Sequence, residues 1–495
     1  MNSLQANIAT GLLCLCGLLL VQTSQAAQGM DPRFRQAVEH AQAGRLAEAE
    51  ASVRSLLSDK PSPDGYRLLG FICENQGKLD QAEQAYRESL TLNPGLDFSR
   101  IRLGIVYCKG RKYTQCVDSL QPLQPGIDAI PEALFYLCQA LLETGQASQA
   151  LQIAAKMEQA ARADPEALLS ICRLLTERNL NREAVPLLTR SVERLPRSAE
   201  AHYLLALALS RTDRIDRVGA LLDKALLLQP DFVPALLLQA MNLLEAKKLA
   251  EAKQSLGKVL ELQPKEPKAI FLLSKVLIDG EEYSEAIRSL KELVDRFPDD
   301  PDVHLLLLSA YRKDENYQKA FETSLDLLER FPDYPLVLYN GGLDLEIMGR
   351  FQEAETHLRK LLPMIQDDPD LMAGARLGLA RVLAHQKKTV EATALFEEAI
   401  RLNQGGVPAL ADLSDIYLKA GEFEKALKLL RQVVAREPER KQAYIQLARV
   451  LRRLGKIEEA REQIRIFQQL NKAEKATPKG TQAQQVVQPA AGTTQ

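Results

Sequence analysis

The sequence predicts an all-α protein, a long stack of about thirteen helix-turn-helix units. Three observations predict it: a residue mix dominated by strong helix formers, a shortage of the aromatic residues that sheets use, and a spacing of 34 residues that recurs along the chain. Ala, Leu, Glu, Gln, Lys and Arg prevail, and these lose little side-chain freedom in a helix. Tryptophan is absent and aromatics are 5% of residues, too few for the core of a β-sandwich or barrel. Hydrophobic residues make up 46%, so the chain can bury a core and is not disordered overall. At 495 residues it exceeds the roughly 250 to 300 at which one core stops growing. Several domains or a repeat array must therefore be present. The 63 basic and 65 acidic residues nearly cancel, leaving no global field to draw the chain to a nucleic acid or an anionic membrane.

At the N-terminus, Ile8 to Val21 is a 14-residue stretch without charge. It is shorter than the ~20 apolar residues that span a bilayer. Thr23-Ser24-Gln25-Ala26-Ala27 then places small residues where a signal peptidase reads. Residues 1–26 accordingly read as a secretory signal cut after Ala26, although the preceding MNSLQAN lacks Lys and Arg. Export to the periplasm is the expectation. The alternatives are an uncleaved membrane anchor and initiation at Met30 with a cytoplasmic product. Leu precedes both Cys14 and Cys16, which gives lipoprotein processing little support.

The repeat follows, over residues 30–470. GKLDQAEQAYRESLTLNP at 77–94 and GEFEKALKLLRQVVAREP at 421–438 share Gly, an apolar residue two later, Ala and a terminal Pro at equal offsets. A small anchor recurs at Ala49, Ala82, Cys116, Ala150, Ala184, Val218, Ala252, Ala286, Ala320, Ala354, Ala392, Ala426 and Ala460. The step is 33 once, 34 eight times, then 38, then 34 twice. Within a copy, Leu410, Leu413 and Tyr417 lie along one face of a first helix, and Ala426, Leu430 and Val433 along one face of a second. Gly421 suits the left-handed residue that ends a helix, and prolines such as Pro61, Pro94, Pro230, Pro332 and Pro438 close the units. Gly70, Gly104, Ala206, Ala240, Gly342, Ala380 and Ala448 are small residues in register on the first helices.

This pattern resembles the tetratricopeptide repeat, across nearly all of the chain after the signal. The resemblance implies an α-α superhelix in which paired helices stack, each unit depending on its neighbours. It further implies that the two small positions face each other. The family's tryptophan position holds Tyr66, Leu134, His202, Leu236, Ile270, His304, Leu338, Leu410 and Tyr444. The four extra residues of the 38-residue step fall around Pro363 to Pro369, where a lengthened connection is expected. Residues 471–495, rich in Gln, Thr, Ala and Pro without apolar period, read as a disordered tail.

Chemistry-bearing motifs are missing. The five histidines show no H-E-x-x-H spacing, and His202 and His304 share a core-facing register that marks them as packing residues. Cys73, Cys108, Cys116, Cys138 and Cys172 crowd into the second to fifth repeats, and Cys116, Cys138 and Cys172 take positions where other copies hold Ala, Gly or Ser, so they read as small apolar filler. A disulfide among these five stays open. No C-x-x-C, phosphate-binding loop or nucleophile elbow occurs. Carboxylates are expected on solvent faces. The reading is a non-catalytic protein without cofactor or metal.

In proteins of this kind the first helices line a concave groove that receives ligands. In this sequence the groove position one residue after the tryptophan site holds Phe135, Leu169, Tyr203, Leu237, Phe271, Leu305, Tyr339 and Leu377, a row of apolar contacts. Each buried anchor of this kind contributes roughly 1.5 to 3 kcal/mol before association costs. In the last repeat Arg449, Arg452 and Arg453 share a helix that could meet an acidic segment. The Lys and Asn pair with which chaperone adaptors hold a carboxylate does not recur. The expected partner is a protein or peptide held in the groove, in a bacterial envelope or secretion assembly, with no nucleic acid and membrane contact only through an uncleaved signal. A regulatory subunit of a separately encoded glycosyltransferase or polysaccharide exporter is the alternative.

Overall fold

The computed structural model describes residues 31–160, 165–212, 217–402 and 406–476. The signal assigned to residues 1–26 lies outside the described residues, as do residues 477–495 of the tail. Among the described residues there are 26 α-helices and no strand. They form two units, one ending at Pro264 and one beginning at Lys265. Odd-numbered helices below are the first of a repeat and even-numbered helices the second.

The first unit contains α1 (Pro32–Gln42), α2 (Leu46–Asp59), α3 (Pro63–Asn75), α4 (Leu79–Leu92), α5 (Asp97–Lys109), α6 (Tyr113–Leu120) and α7 (Pro131–Glu143). It continues with α8 (Ala147–Ala160), α9 (Pro165–Glu177), α10 (Asn181–Arg194), α11 (Ala199–Ser210), α12 (Val218–Leu228), α13 (Val233–Glu245) and α14 (Leu249–Leu262). The second contains α15 (Pro267–Asp279), α16 (Tyr283–Arg296), α17 (Pro301–Lys313), α18 (Tyr317–Arg330), α19 (Pro335–Ile347) and α20 (Phe351–Leu361). It ends with α21 (Pro369–His385), α22 (Thr389–Leu402), α23 (Val407–Ala420), α24 (Phe423–Arg436), α25 (Lys441–Arg453) and α26 (Ile457–Ala476).

First helices start where local chemistry says they should. Pro stands in the first turn of α3, α15, α17, α19 and α21, where its missing N–H costs nothing. Side-chain oxygens cap the free N–H groups: Ser62 accepts from Gly65 N at 3.2 Å and Asp368 from Leu371 N at 2.9 Å. Between the helices of a repeat, one residue turns left-handed. It is glycine at Gly44, Gly77, Gly145, Gly349, Gly421 and Gly455, but Arg111, Asn179, Lys247, Glu281, Glu315 and Lys387 take the same turn with φ between 57° and 64°. The turn is thus imposed by the packing of the pair, and six repeats bear the side-chain crowding that glycine avoids.

All thirteen anchor residues, Ala49 to Ala460, are 0% exposed, so the repeat register sets the core. The small residues on the first helices do not simply meet the anchors. A Cβ added at Gly70 would lie 2.8 Å from the Tyr86 ring, at Gly104 2.6 Å from Leu120 Cγ, and at Gly342 2.7 Å from Leu358 Cγ. Each partner stands one turn after an anchor, because a glycine leaves a hollow that a large side chain fills better than a second small one.

Two expectations about length are corrected. The four extra residues of the 38-residue step do not lengthen a connection. They sit inside α21, which has 17 residues where α17 and α19 have 13. One turn is 3.6 residues, so four added residues return the apolar stripe to nearly the same face. Leu371, Met372, Ala373 and Ala375 are helix-compatible, and Asp368 caps the longer helix. At the other end, α26 runs to Ala476 and so carries residues 471–476 of the expected tail as helix.

Candidate partner-binding surface

Within each unit, first helices of successive repeats pack directly on one another: α3, α5, α7, α9, α11 and α13 in the first, α15, α17, α19 and α21 in the second. Second helices find their main neighbours in the flanking first helices. The first helices therefore form the closer-spaced wall of each unit, and this direct packing thins out at α23 and α25.

The expected row of groove contacts divides into two sets. Leu169 is fully buried and Leu237 is 8% exposed, so neither offers surface to a partner. Residue type does not decide this, since Leu305 at the same register keeps exposed surface. Phe135, Tyr203, Phe271, Leu305, Tyr339 and Leu377 are half-buried. Their rings are supported from the side. Phe135 stands edge-on to Tyr136 at 5.4 Å, Tyr203 edge-on to Phe232 at 5.1 Å, and the Lys275 ammonium lies 5.2 Å from the Phe271 centroid. Tyr339 lies over Gly374 of α21, where an added Cβ would come within 2.7 Å of its hydroxyl. Burial raises the Tyr203 and Tyr339 hydroxyls above their ordinary value of 10, keeping both neutral donors. Four residues further along the wall, Arg173 and Arg381 are held by carboxylates of the next first helix, Glu200 at 2.6 Å and Asp412 at 2.6 Å. Arg449, Arg452 and Arg453 are exposed on α25.

Not every carboxylate faces solvent as expected. Glu74, on α3, has a side chain only 1% exposed. It accepts from Arg102 Nη2 at 2.5 Å and Nε at 3.0 Å, from Lys109 Nζ at 2.7 Å and from the Tyr86 hydroxyl at 3.2 Å. Arg102 reaches on to Glu132 of α7 at 2.8 Å, so one network ties three repeats together. Burial alone would raise the Glu74 carboxyl, but the Arg102 guanidinium and Lys109 ammonium outweigh it and hold the group below its ordinary value. In the second unit Asp344, 2% exposed, takes Arg312 Nη2 at 2.5 Å, and Arg312 Nη1 donates to Asn340 at 2.8 Å. Glu355 is buried under Arg359 at 2.9 Å and Lys388 at 2.8 Å. Asp344 carried a legible signal, since its register holds Val276 and Ala310 elsewhere. Glu74 carried none, because its register is mixed and its partner lies 28 residues away.

Among the described residues, Cys73, Cys108, Cys116, Cys138 and Cys172 are free and buried. Burial pushes the Cys138 and Cys172 thiols up to about 12, far from the thiolate that reacts. Cys138 Sγ lies 3.5 Å from the Ala150 carbonyl and Cys108 Sγ 3.5 Å from that of Tyr136, as weak donors in a packed core. His202 and His304 are packing histidines: both are buried, with ring nitrogens 2.9 Å from the Ser198 carbonyl and 2.8 Å from the Pro298 carbonyl. In the first unit a recess of about 570 Å³ is lined by Cys108, Lys109, Arg111, Tyr136, Gln139 and Arg178, among others. Among the described residues no cluster of His, Cys, Asp and Glu could hold a metal ion, and no helix is long and apolar enough to cross a membrane.

Thirteen helix pairs on a 34-residue register, each with a buried small anchor, define a helical-repeat protein. Two tetratricopeptide repeat models match, one at residues 34–97 and 172–231, the other at 243–310, 345–414, 383–435 and 417–472. Together they cover more than half of the chain, which belongs to the tetratricopeptide repeat family. No curated protein matches this chain. Among solved structures, yeast Tom70 is 16% identical, with a TM-score of 0.41 over 90% of this chain and 98% of that one. The Cut9–Hcn1 hetero-tetramer of the APC/C is 14% identical, with a TM-score of 0.46 over 84% of this chain and 95% of that one. The matched families are repeat families, and their members serve as interaction scaffolds.

Proposed function

We propose that this chain is a non-catalytic scaffold that holds an extended segment of a protein partner against the first-helix wall of its units. The observation that carries the reading is the row of half-buried side chains, the aromatic ones laterally supported: Phe135 and Tyr203 in the first unit, Phe271, Leu305 and Tyr339 in the second. Each leaves apolar surface in water, and the supported rings are already held in place, so a partner gains burial at little ordering cost. Export supports a place in a bacterial cell envelope or secretion assembly; its basis is the uncharged Ile8–Val21 stretch and the small residues that follow. Replacing Phe135 and Tyr203 together by Ser, and separately Phe271 and Leu305, should each weaken partner capture by affinity pull-down about tenfold or more, with the helical circular dichroism unchanged. Capture at full strength by both variants would refute the assignment. A periplasmic reporter fused after Ala27 should be active; inactivity would overturn the export reading.

A further inference from the structure

Along the wall of the second unit, an arginine of one first helix repeatedly closes onto a carboxylate of the next. Arg381 of α21 holds Asp412 of α23 at 2.6 Å, and Arg312 of α17 holds Asp344 of α19 at 2.5 Å. Arg449 of α25 stands two 34-residue steps after Arg381, and Arg452 occupies the register of Arg312. Both are exposed, and neither has a side-chain partner among the described residues. Arg453 stands beside them, likewise exposed. No described helix follows α26 to bring them a carboxylate.

The adjoining face of α26 is open in the same sense. Seven residues after the anchor, Leu293, Leu327, Leu361, Ala399 and Val433 are buried in the preceding repeats. Val433 shares a cluster with Ala443, the small residue that the next first helix sets against it. At that register α26 has Phe467, larger than any of these and only half-buried. An apolar seat on α26 thus accompanies two exposed guanidinium groups on α25, at the registers that Arg381 and Arg312 each use singly to hold the next first helix.

We propose that the α25–α26 face binds an acidic amphipathic helix of a protein partner, seated as an additional first helix. The registers specify its pattern. Asp412 and Asp344 stand four residues apart when superposed on one helix, and Ala409 and Ala443 occupy the position three before the first of them. The docking helix therefore carries a small residue, then a carboxylate three residues on, then a second carboxylate four further, in the pattern A-x-x-E-x-x-x-E. Residues 477–495 contain no Asp or Glu, so they do not carry this pattern. This deepens the scaffold reading but stands on a different face from the half-buried row.

The test uses the full chain and a synthetic helical peptide bearing A-x-x-E-x-x-x-E, with fluorescence anisotropy as readout. The wild type should bind it, and Arg449→Glu combined with Arg452→Glu should weaken binding at least roughly tenfold. A peptide with Lys at both Glu positions should bind that double variant and not the wild type, a swap that general unfolding does not produce. The Phe271→Ser/Leu305→Ser variant should bind the acidic peptide normally, so failure of the wall reading and failure of this one are separable. Absence of binding, equal binding of the Glu peptide by wild type and the charge-reversed variant, or equal binding of both peptides by the wild type would overturn the proposal. Wild-type self-association lost in the charge-reversed variant, without peptide binding, would place a second copy on this face and also overturn it.

Discussion

The third repeat, in the first unit, and the eleventh, in the second, depart from the pattern in opposite ways. In the third the anchor spacing stays at 34, yet the second helix α6 stops at Leu120 after 8 residues, where Pro122 and Pro125 follow. In the eleventh the spacing grows to 38, yet the helices and turns keep their order because the added residues make one more turn of α21. Spacing counts residues between anchors and is blind to where backbone hydrogen bonds run. Proline removes a donor and ends a helix at constant length, whereas four helix-compatible residues add a turn that keeps the buried face buried.

The units also differ in how they hold buried charge. Glu74 of the first is clamped by two cations and a tyrosine hydroxyl, with Arg102 13% and Lys109 31% exposed. Asp344 of the second has one arginine, itself 30% exposed and shared with Asn340. Removing the Glu74 charge strands more partners in a drier place. Glu74→Gln should therefore cost about 3 kcal/mol and Asp344→Asn about 1 kcal/mol, read by hydrogen exchange of the flanking repeats. Equal losses would erase the distinction between the units. The same contrast has a pH signature. The Glu74 carboxyl is held below its ordinary 4.5 in the folded state. Its stabilising contribution is complete above that value and lost as pH falls through the lowered one. Acid titration of α3 and α5 protection should flatten in Glu74→Gln; an unchanged acid limb would remove Glu74 as its source.

Close packing gives a middle-sized effect in both units. Gly342→Ala, in the second, should cost about 2 kcal/mol, because its Cβ would come within 2.7 Å of Leu358 Cγ and 2.8 Å of Leu358 Cδ2, which have no free space to retreat. Gly70→Ala, in the first, meets the broad Tyr86 ring, which is 0% exposed, and should cost at least as much. A thermal shift near zero for either variant would show that the second helix can slide and that the glycine hollow is not filled tightly. The smallest effect is expected in the turns. Glu315→Gly in the second unit and Lys247→Gly in the first should each stabilise by roughly 0.5–1 kcal/mol by relieving a left-handed residue, measured as a rise in denaturation midpoint. The same change at Gly421, already glycine, has nothing to relieve.

Much of this was legible in residue order. The thirteen anchors read off the spacing are all fully buried, His202 and His304 pack as their register implies, and the helix pairs fall where Pro and Gly punctuate the chain. Less could be read at the candidate site. Phe135 and Leu169 stand at one register, yet the first keeps exposed surface and the second has none. That difference depends on which side chains of neighbouring repeats close over the position.

By itself the sequence determined the helical class, the repeat length, the number of pairs and the residues at the centre of each, because period and residue size are local properties that every copy states again. Only the tertiary structure decided where four extra residues go, which carboxylates are buried and which apolar residues remain at the surface. Those outcomes are set by contacts between repeats about 30 residues apart in the chain, such as Arg102 with Glu74 and Glu132, and no single copy of the repeat contains both partners.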